Sequence, residues 1–171
     1  MKPHSTRRSR ILTLLIAAVV LALCITGCGG QQVAPIVDAI APGFTLPTID
    51  GDTIALQELR GQPVLLTFAT TKCGWCSYQT QFLQQAFEEK GDEVHFVTID
   101  VGQSSGTVQE FAQSLGLEYT IALDQDAAVA ITYNIRGIPK NFVIDEQGVI
   151  RYIKTGAFIS EEEVLDVLDG L

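Results

Sequence analysis

The residues of this sequence best suited to chemistry are two cysteines, spaced as Cys73-Gly74-Trp75-Cys76. A thiolate is a nucleophile, and two sulfurs this close can pair with each other or exchange with a partner's disulfide. The run Pro63-Val64-Leu65-Leu66-Thr67-Phe68-Ala69 before them has the length and composition of a buried strand. A helical pattern follows them. A cysteine at a helix start faces unpaired N–H groups and the positive end of the helix dipole, which favour the thiolate over the thiol. Cys73 is therefore the candidate nucleophile. Cys76, one turn further on, is placed to attack the mixed disulfide from inside. Lys72 sets a cation beside Cys73. Gly74 reads as a residue that allows a tight strand-to-helix turn, and Trp75 either as a flat contact surface for partners or as local packing. The redox group would be the Cys73–Cys76 disulfide itself, so no cofactor is expected.

Zinc is a poor alternative. There is no second Cys-x-x-Cys, and the two histidines, His4 and His95, fall in the N-terminal segment and in an expected strand, so no metal site is expected. Asp124 and Asp126 have no further ligands at useful spacing and read as turn residues. A structural staple is equally unconvincing, because so small a loop constrains little of the unfolded chain.

The compartment follows from the N-terminus. Lys2, Arg7, Arg8 and Arg10 precede an apolar run from Ile11 to Ile25, shorter than the ~20 residues that span a bilayer comfortably. It ends in Ile25-Thr26-Gly27-Cys28, which resembles a bacterial lipobox. Residues 1–27 then read as a lipoprotein signal peptide and Cys28 as the lipidated residue, with several acyl chains giving stable anchoring. Residues 28–40 read as a tether, and 41–171 as one domain. Cys24 leaves with the signal and Cys28 carries lipid, so only Cys73 and Cys76 remain for redox work. Beyond the signal, seven basic residues face twenty acidic ones, a net charge of −13 against −9 for all 171 residues. Such a body repels phosphate backbones, which argues against nucleic-acid partners.

The rest of the pattern supplies a scaffold. Asp50-Gly51 lies between strand-like runs ending near Leu46 and restarting at Thr53, which predicts a hairpin. Gln57 to Gly61 reads as a short helical turn. After the cysteines, Trp75, Tyr78, Phe82, Leu83, Ala86 and Phe87 recur at helical steps, with Gly91 placed to end the helix. A strand over 94–100, a helix carrying Val108 to Leu115 and ended by Gly116, and a short strand and helix over 120–133 come next. Asn141–Asp145 and Val149–Ile153 form a hairpin around Glu146-Gln147-Gly148, and Ser160 and Glu163 open the last helix with capping-box spacing. The fold class is α/β, with a central sheet flanked by helices.

These motifs, in this order, resemble the TlpA/ResA-like branch of the thioredoxin superfamily over roughly residues 41–171. The resemblance rests on Ala41-Pro42-Gly43-Phe44-Thr45-Leu46, Asp50-Gly51, the run from Leu59 to Ala69 with the following Cys-x-x-Cys, Tyr133-Asn134-Ile135-Arg136-Gly137-Ile138-Pro139, and Phe142 to Gly148. It implies a thioredoxin-like fold with a central mixed sheet and an N-terminal β-hairpin extension. It also implies a cis-proline at Pro139 packed against the disulfide, with Ile138 offering backbone groups to an extended substrate. The family implies a lipid-anchored, extracytoplasmic protein of the bacterial cell membrane. Such a protein reduces disulfides of exported proteins with paired cysteines, in some members during cytochrome c maturation, and a membrane thiol carrier recharges it. Three departures stand out. Lys72 occupies a usual tryptophan position, Gln79 a position where many reducing members carry glutamate, and Gln81 a common proline position. Without an acid at 79, proton transfer at Cys76 requires water or another carboxylate. A peroxiredoxin-like peroxidase is the main rival: Thr70 fits its spacing, but Leu66 stands where its proline belongs. A non-catalytic, tethered binding or chaperone module is the third class. Copper delivery is weaker, with His95 its sole candidate histidine.

Overall fold

The structure, a computed structural model, describes residues 32–171; the expected signal peptide and Cys28 lie outside the described residues. Its central sheet has five strands in the order β5-β4-β3-β6-β7, built from β3 (Val64–Ala69), β4 (His95–Val101), β5 (Thr120–Asp124), β6 (Lys140–Ile144) and β7 (Ile150–Thr155). β3 is central, parallel to β4 through Val64↔His95 to Ala69↔Asp100 and antiparallel to β6 through Val64↔Ile144 to Phe68↔Lys140. All six of its residues are buried, which is why it reads as a continuous apolar run.

Alternation along the strands splits the core in two. Val64, Leu66 and Phe68 face one side with Val97, Ile99, Phe142 and Tyr133. Leu65 and Val143 face the other, where they meet Leu83 and Ala86 of α1 (Gly74–Lys90), Val108 and Ala112 of α2 (Ser105–Leu115), and Val164 and Leu168 of α4 (Glu161–Asp169). The first side is closed by the short α3 (Ala128–Thr132), the 3-10 turn Leu56–Leu59, and the hairpin of β1 (Thr45–Pro47) and β2 (Thr53–Ala55). Gly51 turns that hairpin at φ +92, a conformation open mainly to glycine. The hairpin is fastened to the β5 edge by a Thr48↔Ala122 bridge and by Ile49 N–H donating to Ile121 O at 3.0 Å. An otherwise open sheet edge is thereby covered.

One expectation is corrected. The tether read over 28–40 is not free through its second half. Asp38 N–H donates to Ile150 O, Ile150 N–H to Ala39 O, and Ala41 N–H to Gly148 O, while Arg151 ion-pairs with Asp38 at 2.9 Å. Ala39 is buried, and the folded unit runs from Gln32 to Leu171. Pairing at the start of β7 satisfies backbone groups that a solvated tether would leave to water. α1 forms where the helical pattern placed it, and Gly91 ends it. Its buried stripe is Cys76, Gln79, Thr80, Leu83 and Ala86, whereas Trp75 and Tyr78 are exposed. Trp75, Tyr78 and Phe82 lie on a neighbouring stripe, stacked edge to face, while Phe87 packs against Phe96 and Tyr119.

Candidate active site

Cys73 is the N-cap of α1, with extended backbone at φ −96 and ψ 111. Its Sγ accepts the N–H of Cys76 at 3.1 Å, as a capping oxygen would. Cys73 and Cys76 are joined as a disulfide with Cα atoms 5.1 Å apart. Cys73 is half-buried, and Cys76 is 2% exposed. The two sulfurs therefore have unlike environments. When the pair is reduced, the outer one meets both solvent and a helix N–H, which favours its thiolate.

The loop before the cysteines is held from the side. Thr71 N–H donates to Gln103 Oε1 at 2.7 Å, and Gln103 Nε2 donates to Thr71 Oγ1 at 2.8 Å. Cys73 N–H donates to Thr70 O. Gln103 escaped the sequence reading because a lone glutamine after a strand carries no pattern. Lys72 and Gly74 are exposed. Gly74 does not serve the turn as expected. Its φ is not positive, and a Cβ there would meet nothing within 4 Å.

The Ile138–Pro139 peptide bond is cis, and Ile138 O lies 3.9 Å from Cys73 Sγ. Beside it is an apolar surface. Trp75 is 64% exposed and Ile159 65% exposed. With Cys73, Gly74 and Tyr78 they line an open concavity of about 720 Å³. A second hollow, about 250 Å³, runs from Trp75 and Ile159 to Ile138 and Pro139. Of the two readings of Trp75, the exposed contact surface fits this geometry. Ile159, unmarked in sequence, is positioned through Glu163, which accepts Ile159 N–H at 3.0 Å and pairs with Lys154. Burial pushes the Glu163 carboxyl up, but Lys154 and that N–H outweigh it and hold the pKa below the ordinary value.

Gln79 faces inward and is buried. Its Nε2 donates to Asn141 Oδ1 at 3.0 Å, and its Oε1 accepts Phe158 N–H at 3.1 Å. Asn141 Oδ1 also accepts from Thr67 Oγ1, and Asn141 Nδ2 donates to Gly156 O. The amide thus locks α1 to β3, β6 and the loop carrying Phe158. A neutral donor–acceptor suits this cluster, and it does not titrate.

Asp124 and Asp126 serve α3 and its turn. Asp124 accepts Val129 and Ala130 N–H, and Asp126 accepts Ala128 N–H. His95 begins β4 opposite Val64, at the end of the sheet away from the cysteines. Burial lowers its pKa.

The redoxin family matches residues 37–168. Thiol-disulfide oxidoreductase ResA of Geobacillus kaustophilus is 30% identical over 156 residues, covering 91% of this chain and 89% of that protein. Among solved structures, StoA from Bacillus subtilis aligns at TM-score 0.65 and 27% identity, covering 73% of this chain and 95% of that one. The pneumococcal exposed lipoprotein thioredoxin Etrx1 from Streptococcus pneumoniae aligns at TM-score 0.66 and 25% identity, covering 76% and 100%. A disulfide at a helix N-terminus beside a cis-proline, on a thioredoxin-like sheet with an N-terminal hairpin, accords with these likenesses: the chain belongs to the redoxin family and is a TlpA/ResA-like thiol–disulfide oxidoreductase of the thioredoxin superfamily.

Proposed function

We propose that Cys73 is the attacking sulfur and Cys76 the resolving one, and that the protein reduces disulfides of exported proteins from the outer face of a bacterial membrane. The unlike settings of the two sulfurs carry this reading: one half-exposed on a helix N–H, the other buried behind it. A Cys73 thiolate attacks a substrate disulfide, forming a mixed disulfide and releasing one substrate thiolate. Cys76 then attacks Cys73 Sγ, the internal disulfide closes, and the second substrate thiolate leaves. Two electrons pass from the dithiol to the substrate, and the two departing thiolates take up two protons. The disulfide is itself the redox group, and a membrane thiol carrier would reduce it again.

The apolar surface of Trp75 and Ile159 beside the cis-proline loop suits an extended segment flanking a substrate cysteine. Anchoring through lipid on Cys28 is supported by the lipobox-like Ile25-Thr26-Gly27-Cys28. Haem-binding cysteines presented during cytochrome c maturation are one substrate class of this kind. The test is capture on Cys76→Ser in the native cell. Exported proteins with paired cysteines are expected to accumulate on Cys73 as mixed disulfides. A variant that recovers no covalent partner, where the wild type cycles, would sink the proposal.

A further inference from the structure

Beside Cys76, two buried polar atoms have no hydrogen-bond partner among the described residues: Asp100 Oδ1 and Tyr119 Oη. Asp100 is 3% exposed and Tyr119 5% exposed. An unpaired polar atom in such a place is destabilising, so a fold that keeps two of them beside one cavity needs a reason. Both residues line one narrow cavity of about 20 Å³, and Cys76 forms part of the same wall. That volume admits about one water. Thr80 and Thr98 add hydroxyl-bearing side chains to the lining. α2 closes the cavity with Val108 and Phe111, and β3 with its following loop contributes Ala69, Thr70 and Thr71. Cys76, Asp100 and Tyr119 are thus the titratable groups facing it from any element.

We propose that Asp100, with Tyr119 orienting a single water in this cavity, is the proton acceptor for Cys76 in the resolving step. This rests on the assignment of Cys73 as attacking sulfur and Cys76 as resolving sulfur. Once the mixed disulfide stands on Cys73, the Cys76 S–H gives its proton through the water to the Asp100 carboxylate. The Cys76 thiolate attacks Cys73 Sγ, the Cys73–substrate S–S bond breaks, and the substrate departs as a thiolate. Asp100 afterwards returns the proton to solvent. When the internal disulfide is reduced, the same path delivers a proton to the leaving Cys76. Burial pushes Asp100 up to about 7, against the smaller pull of the Thr71 backbone N–H. An acceptor in that range exchanges protons with a thiol at neutral pH far better than an ordinary aspartate does. Gln79, one turn along α1, cannot take that part because its amide does not ionise.

The experiment uses the reduced protein and the aromatic disulfide dithiobis-nitrobenzoate, followed by stopped flow. The first equivalent of coloured thiolate reports attack by Cys73, and the second reports resolution by Cys76. Asp100→Asn should leave the first phase within about twofold while slowing the second by about 10²-fold at pH 7 and flattening its pH dependence between about pH 6 and 8. Tyr119→Phe should slow the second phase less. In wild type, that phase should titrate well below the ~8.5 of an isolated cysteine. The wild-type profile decides the matter even if Asp100→Asn fails to fold. A second phase that keeps its rate and profile in Asp100→Asn, or that in wild type titrates as an isolated thiol, would overturn the assignment of Asp100. Failure of the first phase in wild type would instead overturn the assignment of Cys73.

Discussion

Gln79 Nε2 donates to Asn141 Oδ1 over 3.0 Å, with both side chains buried, so the helix bearing the cysteines is bound to the strand after the cis-proline. Gln79 Oε1 accepts Phe158 N–H in turn, leaving the amide paired at both ends. Gln79→Glu would replace its donor with an acceptor facing Asn141 Oδ1. A loss of about 1–3 kcal/mol is expected at neutral pH, measured by urea unfolding. Burial would raise the new carboxyl above its unfolded pKa of ~4.3, so the deficit should be small below that pH and grow as pH rises through the folded value. Equal stability of variant and wild type at pH 8 would show that the network repacks freely.

Asp100 gives the oxidised protein a pH-dependent stability of definite sign. Its folded pKa is raised to about 7 by burial, and the unfolded value is ~3.9. The folded state keeps a proton that the unfolded state loses. This contribution is whole below ~pH 4 and is lost progressively up to about pH 7. The full loss is at most about 4 kcal/mol, from about three pKa units at 1.36 kcal/mol each. Asp100→Asn should therefore stabilise the oxidised protein at pH 8 and change it little at pH 4. A variant less stable than wild type at pH 8 would contradict this.

Gly74 is the first residue of α1, and Cys73 before it is extended at φ −96 and ψ 111, as a residue preceding proline must be. Gly74→Pro should fold with stability unchanged or raised by up to ~1 kcal/mol, because proline suits the first helical position and narrows the unfolded ensemble. Thermal unfolding checks this. A clear fall in melting temperature would show that the Gly74 N–H or its flexibility is needed.

Trp75 and Ile159 both line the hollow that includes Pro139. If they grip the apolar flank of a substrate, each truncation to alanine should raise KM for a peptide disulfide about tenfold, a difference of ~1.4 kcal/mol. Reaction with a small aromatic disulfide should change far less. Equal effects on both substrates would place their influence on the cysteines rather than on docking.

Cys28→Ser should move the protein from the membrane fraction to the soluble extracytoplasmic fraction, since acyl chains would supply its attachment. Thiol–disulfide exchange by the folded unit should stay unchanged. Continued membrane association of this variant would favour an uncleaved anchor.

Much of this molecule is written locally. The Cys-x-x-Cys after a buried apolar run, the Asp50-Gly51 hairpin and the Ser160–Glu163 cap are each fixed by a few neighbouring residues, and the structure has all of them. Gly116 ends α2 at φ +63, as its place after the apolar pattern implied. The helix after the cysteines and its end at Gly91 were legible in the same way, but which of its residues are buried was not. Trp75 and Tyr78 weigh heavily in any apolar count, yet the helix turns them outward and buries Gln79 and Thr80.

By itself the sequence determined the fold class and the candidate redox pair, which rest on residue types at short fixed spacing, while the cis-proline at Pro139 was implied by the family resemblance and is present in the structure. Only tertiary structure decided that Gln79 is a lock, that residues 38–41 pair with the start of β7, and that Asp100 and Tyr119 line one cavity with Cys76. The lock depends on β6 lying beside β3, the pairing of residues 38–41 on the hairpin of β6 and β7, and the cavity on β4 lying beside β5. Such geometry is set by packing between distant segments, and no local pattern encodes it.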